Sequence, residues 1–237
     1  MIGYEPAGKK NGWSVFTECW RGLISLLFPR TCLLCERRID SEDNPVCPEC
    51  WHSLRPLSMD TIHSKQTANG FLDAVYPVFE FDDAFQKIIH GLKYRGYRSL
   101  GIQIGQLMSE FIPADFYSSE TILIPIPLHP VKLRERGYNQ SMLIARGIAA
   151  KTGMRIHEDC LRRVRNTVTQ THLNAQERVE NMKGAFAVSG KEVCKQFDSV
   201  LLVDDVFTTG ATIGAAAAVL KATGIASVRG LTAAAPI

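Results

Sequence analysis

Residues Leu201–Thr212 read LLVDDVFTTGAT. Leu201, Leu202 and Val203 run straight into two carboxylates, Asp204 and Asp205. Val206 and Phe207 follow, then Thr208, Thr209 and Gly210, and then Ala211, Thr212 and the Ala-rich run Ala215–Ala218. The order predicts a buried strand over Ser199–Val203, a loop, and a helix over Thr212–Thr223. Backbone N–H groups of such a loop and the N-terminus of the following helix favour a phosphate. The hydroxyls of Thr208, Thr209 and Thr212 add donors, and Gly210 tolerates dihedrals that side chains resist. Asp204 and Asp205 would repel a phosphate, so they are expected to face the neighbouring hydroxyls of a ribose.

Working outward, Ala74–Phe81 is rich in Val, Tyr and Phe and reads as a strand. Asp82 or Asp83 caps a helix running to Tyr94, with Phe85, Ile88, Ile89 and Leu92 on one face. A second helix is expected over Leu100–Phe111, a buried strand over Thr121–Pro127 and a helix over Asn139–Thr152. Arg162–Val164 reads as a short strand, Ala175–Met182 as helical and Ala226–Ala233 as a last strand. Strands alternating with helices of this size predict an α/β fold with a mainly parallel sheet flanked by helices. Ligands of such sheets bind at the carboxyl ends of the strands.

The amino-terminal third differs. Cys32, Cys35, Cys47 and Cys50 form two CxxC pairs separated by ERRIDSEDNPV, a polar stretch with little core of its own. This spacing predicts a small four-cysteine module closed by a structural tetrahedral zinc ion, with the metal supplying the folding energy. Four thiolates fill the coordination sphere, which argues against catalysis by this metal. The other three of the seven cysteines, Cys19, Cys160 and Cys194, stand alone, and no secreted disulfide framework is visible. Trp13–Phe28 is apolar at helical spacing but carries Glu18 and Arg21, and it is too short to span a bilayer. It reads as an amphipathic helix packing on the protein, with a membrane-surface helix as the alternative. The chain is therefore expected to be cytoplasmic and without a membrane span. The divisions predicted are a tail and helix over 1–30, the zinc module over 31–57, a linker over 58–70 and the main domain over 71–237.

Composition is that of an ordinary globular protein: 46% hydrophobic and 22% charged residues, with a net charge of +3. The charge is unevenly spread. Between Lys132 and Arg178 ten Lys and Arg residues face four acids, an excess that suits an anion, either a small phosphorylated ligand or a polynucleotide. Lys93 and Arg95 are further candidates for phosphate contact. Tyr94 and Tyr97, interleaved with Arg95 and Arg98, could stack on nucleotides, or be half-buried helix residues. His90 reads as a helix-surface or packing residue, with a catalytic role as the alternative, and His129, just after the strand, has no evident partner.

The strand–acid-pair–hydroxyl-loop arrangement resembles the 5-phosphoribosyl 1-pyrophosphate (PRPP) loop of type I phosphoribosyltransferases. The resemblance extends along the chain: a cysteine-rich module, HGLKYRG at His90–Gly96, IPIPLHPVKLRERGYNQS at Ile124–Ser141, RNTVTQTHLNAQERVENMKGAF at Arg165–Phe186, and then the loop. In order and wording these are similar to the segments of the ComF family. The resemblance implies a type I phosphoribosyltransferase-like main domain, PRPP bound with Mg²⁺, and a role in DNA uptake or use of external DNA alongside other competence proteins. It also implies roles by position. Asp204, Asp205, Thr208, Thr209, Gly210, Ala211 and Thr212 would bind PRPP. Lys132, Arg134 and Arg136 would face the pyrophosphate, and Gln170, Thr171 and Arg178 would lie in a closing lid. Asp204 and Asp205 are the best catalytic candidates. Purine-salvage relatives carry an acid where this chain has Thr208, and no amino-terminal cysteine nucleophile is visible, so purine salvage and amidotransfer are disfavoured. The acceptor is open. The competing expectation is a non-catalytic accessory protein of natural transformation that binds single-stranded DNA.

Overall fold

Five parallel strands lie side by side in the computed structural model, which describes residues 29–41, 43–66, 70–118, 120–166, 177, 180, 182–189 and 196–237. They are β1 (Ala74–Glu80), β2 (Ile122–Pro125), β3 (Arg155–Ile156), β6 (Ser199–Val206) and β7 (Ser227–Ala235), in the order β1-β7-β6-β2-β3. A separate antiparallel pair joins β4 (Leu161–Arg163) to β5 (Phe186–Val188). The helices are α1 (Pro48–His52), α2 (Met59–Gln66), α3 (Asp83–Tyr94), α4 (Arg98–Met108), α5 (Pro130–Arg136), α6 (Gln140–Thr152) and α7 (Ala211–Lys221). The expected α/β architecture with a parallel sheet is what the chain forms. From β2 the chain steps outward to β3; from β6 it steps to β7 in the opposite direction. The strand order therefore reverses between β2 and β6, and their carboxyl ends part to leave a crevice.

Local chemistry explains the elements. β2 and Val200–Val203 of β6 are apolar and buried on both faces, as a central parallel strand requires. Asp82 caps α3 by accepting from the Phe85 N–H at 2.9 Å, and Asn139 caps α6 by accepting from Ser141 N–H at 3.0 Å. Two expectations are corrected. The stretch 58–70, expected to be a linker, contains α2; Ser58 accepts from Thr61 N–H at 3.3 Å at its start, and Ile62 is buried. The strand expected to stop at Val203 continues to Val206, so both acids lie inside the ladder, with Asp204 opposite Thr232 of β7.

Helices α4 and α6 cross with their backbones almost touching. A Cβ placed on Gly105 would lie 2.0 Å from the carbonyl oxygen of Ile144, and one on Gly147 would lie 2.1 Å from that of Ile102. This contact fixes α6, whose first residues reach the end of β6. Gly147→Ala is expected to destabilise the protein by roughly 1–3 kcal/mol, the cost of overpacking, despite alanine's better helix propensity. A fall in the urea midpoint at unchanged slope checks this.

The cysteine module docks against the same core. Cys32, Val46, Cys47, Leu54 and Leu57 are buried with the sheet and helix residues in one cluster. Its exit segment straps the outer edge of β1: Leu57 N–H donates to Val78 O and Glu80 N–H to Arg55 O, both at 2.9 Å. Arg55 also pairs with Glu80 at 3.0 Å and with Asp82 at 3.2 Å. An open strand edge is thus covered.

Candidate functional site

The crevice between β2 and β6 opens into a cleft of about 420 Å³. Its floor is Asp204 and Asp205, both at least nine-tenths buried. Successive strand residues point to opposite sides, and the two carboxylates reach different helices. Asp204 Oδ1 accepts from Ser141 Oγ at 2.9 Å and from the Asp205 N–H at 2.9 Å. Asp205 Oδ2 pairs with the Lys93 ammonium on α3. Gln140 lies beside Asp205 and helps to hold its carboxyl down, and Arg136 donates to Gln140 Oε1.

The acids titrate apart. Burial, followed by the neighbouring Asp205 charge, pushes Asp204 up to about 7. Burial also acts upward on Asp205, but the Lys93 ammonium outweighs it and holds that carboxyl below its ordinary range. The signs follow. An unfolded Asp titrates near about 3.9, so between that pH and about 7 the folded chain holds more protons at Asp204 than the unfolded chain does. Stability from this group is present at the acid end of that window and lost as pH rises through it. Asp205 acts oppositely in a lower window: its contribution is lost as pH falls through its depressed folded value. The melting temperature of the wild type is therefore expected to decline relative to Asp204→Asn from roughly pH 4.5 to 7.5. Paired melting curves at several pH values test this, and a constant offset would contradict it.

Cations line the wall. Lys132 and Arg136, four residues apart on α5, share the face turned to the cleft. Arg134, two residues from each, is exposed and lies outside the lining. Lys93 and Arg163 complete the set, giving four cations around two carboxylates. Burial, and then the positive charges of Arg163 and Arg136, lower the pKa of Lys132. An anion entering here would meet groups that gain by its arrival.

The loop closes one end. Gly210 adopts φ 71°, the left-handed conformation open to glycine, and α7 starts at the next residue. Thr209 Oγ1 accepts from Ala211 N–H at 3.4 Å. Thr208 and Thr212 line the cleft, and with Gly210 and Ala211 they also surround a cavity of about 30 Å³ beneath the loop. Thr232, wholly buried, borders that cavity.

Four site residues escaped prediction or were left open. Lys93 was one candidate among several, while Gln140, Ser141 and Arg163 carried no signal of their own. His129 turns out to be a cap, its ring accepting from Val131 N–H at 3.3 Å. His90 lies on the surface against Tyr94, 5.0 Å between ring centres. Cys160 is fully buried in the core. Tyr94 is 67% exposed and so is not half-buried, whereas Tyr97, 39% exposed, keeps more than half of its surface covered. Gln170, Thr171 and Arg178, the expected lid residues, lie outside the described residues, as do Trp13–Phe28, Cys19 and Cys194.

In the amino-terminal module the sulfur atoms of Cys32, Cys35, Cys47 and Cys50 all lie within 4.8 Å of one another. A tetrahedron with zinc–sulfur bonds of about 2.3 Å puts its sulfurs about 3.8 Å apart, and Cys35 Sγ and Cys47 Sγ are separated by 3.8 Å. That distance is far too long for a disulfide. The Cys47 N–H points at Cys32 Sγ, 3.4 Å away, a donor that would steady a thiolate. The four thiols fit a structural zinc ion.

Comparison with known proteins bears on the amino-terminal module and on the chain as a whole. Residues 23–61 match the family described as a double zinc ribbon domain. Those residues hold only the four cysteines of the cluster, enough for one such ion. The DNA utilization protein YhgH of Salmonella typhimurium is 27% identical over 217 residues, which cover 89% of this chain and 93% of that protein. Competence protein ComFC of Bacillus subtilis is 24% identical over 88% of this chain and 85% of its own length. Competence protein F of Haemophilus influenzae is 32% identical over 107 residues, 45% of this chain and 47% of that protein. No helix among the described residues is long and apolar enough to cross a membrane.

Proposed function

We infer, for a chain related over most of its length to ComF-family competence and DNA utilization proteins, that the cleft binds PRPP with Mg²⁺ in the service of DNA uptake or use of external DNA. The observation that carries this reading is the buried acid pair at the end of β6, with a hydroxyl loop on one side and a wall of cations on the other. The loop amides, Thr208, Thr209 and Thr212 hold the 5-phosphate. Asp204 and Asp205 accept hydrogen bonds from the ribose hydroxyls. Lys132 and Arg136 face the diphosphate, and Arg163 adds charge from β4.

The arrangement suits displacement of diphosphate from the ribose C1, where negative charge grows on the leaving group. Mg²⁺ bound with the ligand supplies positive charge there. The chain's part is to orient the sugar and stabilise the leaving group through Lys132 and Arg136. Thr208 is a poor general base, so an acceptor must arrive as a competent nucleophile. Calorimetric titration of the zinc-loaded protein with PRPP and Mg²⁺ tests binding directly. Saturable heat supports the reading, and none at millimolar PRPP overturns it.

One observation favours a second reading, a site for single-stranded DNA. Tyr94, Arg95, Tyr97 and Arg98 are exposed together where α3 leaves the cleft and α4 begins, and aromatics beside cations suit stacked bases and a phosphate backbone. The two readings are compatible if one end of a strand enters the cleft. Binding of a labelled oligonucleotide with steep salt dependence would favour the second.

A further inference from the structure

The acid pair in the cleft is already engaged by the chain's own residues. Lys93 holds Asp205 by an ion pair in which the two side chains are 23% and 7% exposed. Gln140 lies beside Asp205 and helps to hold its carboxyl down, and Gln140 is in turn engaged by Arg136. Two cations meant for an anion are thereby tied to the carboxylate meant for the sugar, one directly and one through an amide. An anion that recruits Lys93 and Arg136 leaves Asp205 without its counter-charge. A divalent cation arriving alone must instead push that ammonium out to solvent without bringing an anion to replace the carboxylate it loses.

We propose that Lys93 is a specificity-determining residue: it closes the acid pair to a free divalent cation and yields it to one that arrives with a diphosphate. The inference rests on the phosphoribosyl reading for its purpose but not for its geometry. Entry of the metal–diphosphate complex moves Lys93 from the Asp205 carboxylate to phosphate oxygens, a change of partner that leaves its charge satisfied throughout. Removal of the ammonium leaves two buried carboxylates whose mutual repulsion a bare cation relieves.

The test uses the full, zinc-loaded chain and Mn²⁺ as probe, a hard ion that competes poorly for thiolates. Free Mn²⁺ is followed by electron paramagnetic resonance, with and without inorganic pyrophosphate. Wild type is expected to bind Mn²⁺ weakly alone and more tightly when pyrophosphate is added. Lys93→Met is expected to bind Mn²⁺ alone roughly tenfold tighter or more, the scale on which a like charge a few ångströms away acts. The gain is lost in Lys93→Met with Asp205→Asn, and Lys93→Arg behaves as wild type. Lys93→Gln serves if Lys93→Met does not fold. A folded, zinc-loaded Lys93→Met or Lys93→Gln that binds Mn²⁺ no better than wild type overturns the proposal. If wild type gives no heat with PRPP while Lys93→Met gains Mn²⁺, the ligand reading fails and the closure stands.

Discussion

Asp204→Asn with Asp205→Asn is expected to abolish saturable binding of PRPP and Mg²⁺, measured by calorimetry on folded, zinc-loaded protein. The amides match the carboxylates in shape but carry no charge to attract a metal–diphosphate complex, and half of each amide is a donor where the sugar hydroxyls need an acceptor. Hydrogen bonds to charged groups are worth about 1.5–3 kcal/mol each, so losing two weakens binding roughly a hundredfold to ten-thousandfold. The fold should persist. Ser141 can donate to an amide oxygen as it does to Asp204 Oδ1. Lys93, its side chain 23% exposed, can turn its ammonium to solvent. The same variant separates the two functional readings. Removing two negative charges leaves affinity for single-stranded DNA unchanged or raises it, because phosphates then meet less repulsion. Loss of PRPP binding with retained oligonucleotide binding would mean separate determinants in one cleft. Undiminished PRPP binding in the double variant would remove the acid pair from the site altogether.

Metal removal is the second large effect. Chelation is expected to lower the melting temperature by at least about 10 °C, a loss of roughly 3–5 kcal/mol in a protein of this size. Structural zinc is worth about 10–16 kcal/mol in isolated zinc-finger peptides, and here the stretch between the cysteine pairs offers almost no core to replace it. The loss should spread beyond the module, because Cys32, Val46, Cys47, Leu54 and Leu57 pack in the same cluster as the sheet. Cys47→Ser, which removes a buried ligand, should give the same fall without chelator. Zinc added back should restore the chelated wild type and leave Cys47→Ser unfolded in this region. A wild type that melts unchanged after verified zinc loss would show that packing alone holds the module.

Much of the architecture was legible because its chemistry is local. A doubly buried strand must be apolar, a phosphate loop must be small and hydroxyl-rich, and four cysteines at CxxC spacing advertise a metal. β1, α3, β2, α6, β6, α7 and β7 each lie within a few residues of their expected bounds. The misses have physical causes. α5 has seven residues and buries none of them, so no apolar periodicity announces it. Only once Pro130–Arg136 is a helix does the separation of Lys132 and Arg136 from Arg134 follow. β3 and β5 have two and three residues, too few for an alternation to show. α2 was hidden by its polarity, since its sequence MDTIHSKQ holds only two apolar residues, Met59, which is exposed, and Ile62, which is buried. The Lys93–Asp205 pair joins α3 to β6 across 112 positions (205 minus 93). Nothing near either residue names the other; only the folded sheet brings them together.

The strand order has a consequence for how the chain reaches this state. β7, last of the strands in chain order, sits second in the sheet, between β1 and β6. Ala74 pairs with Arg229, 155 positions later (229 minus 74). On the ribosome β1 must wait for nearly the whole domain to be made before its inner neighbour exists, and β6 emerges with one flank open. Pairings this distant in sequence are slow to form, and the waiting strands are the surfaces on which nascent chains stick to one another. Only the strap of Arg55–Leu57 is already present when β1 emerges, and it covers the outer edge during that wait. Metal capture by the first-made module would thus act on the yield of folding as well as on the finished protein.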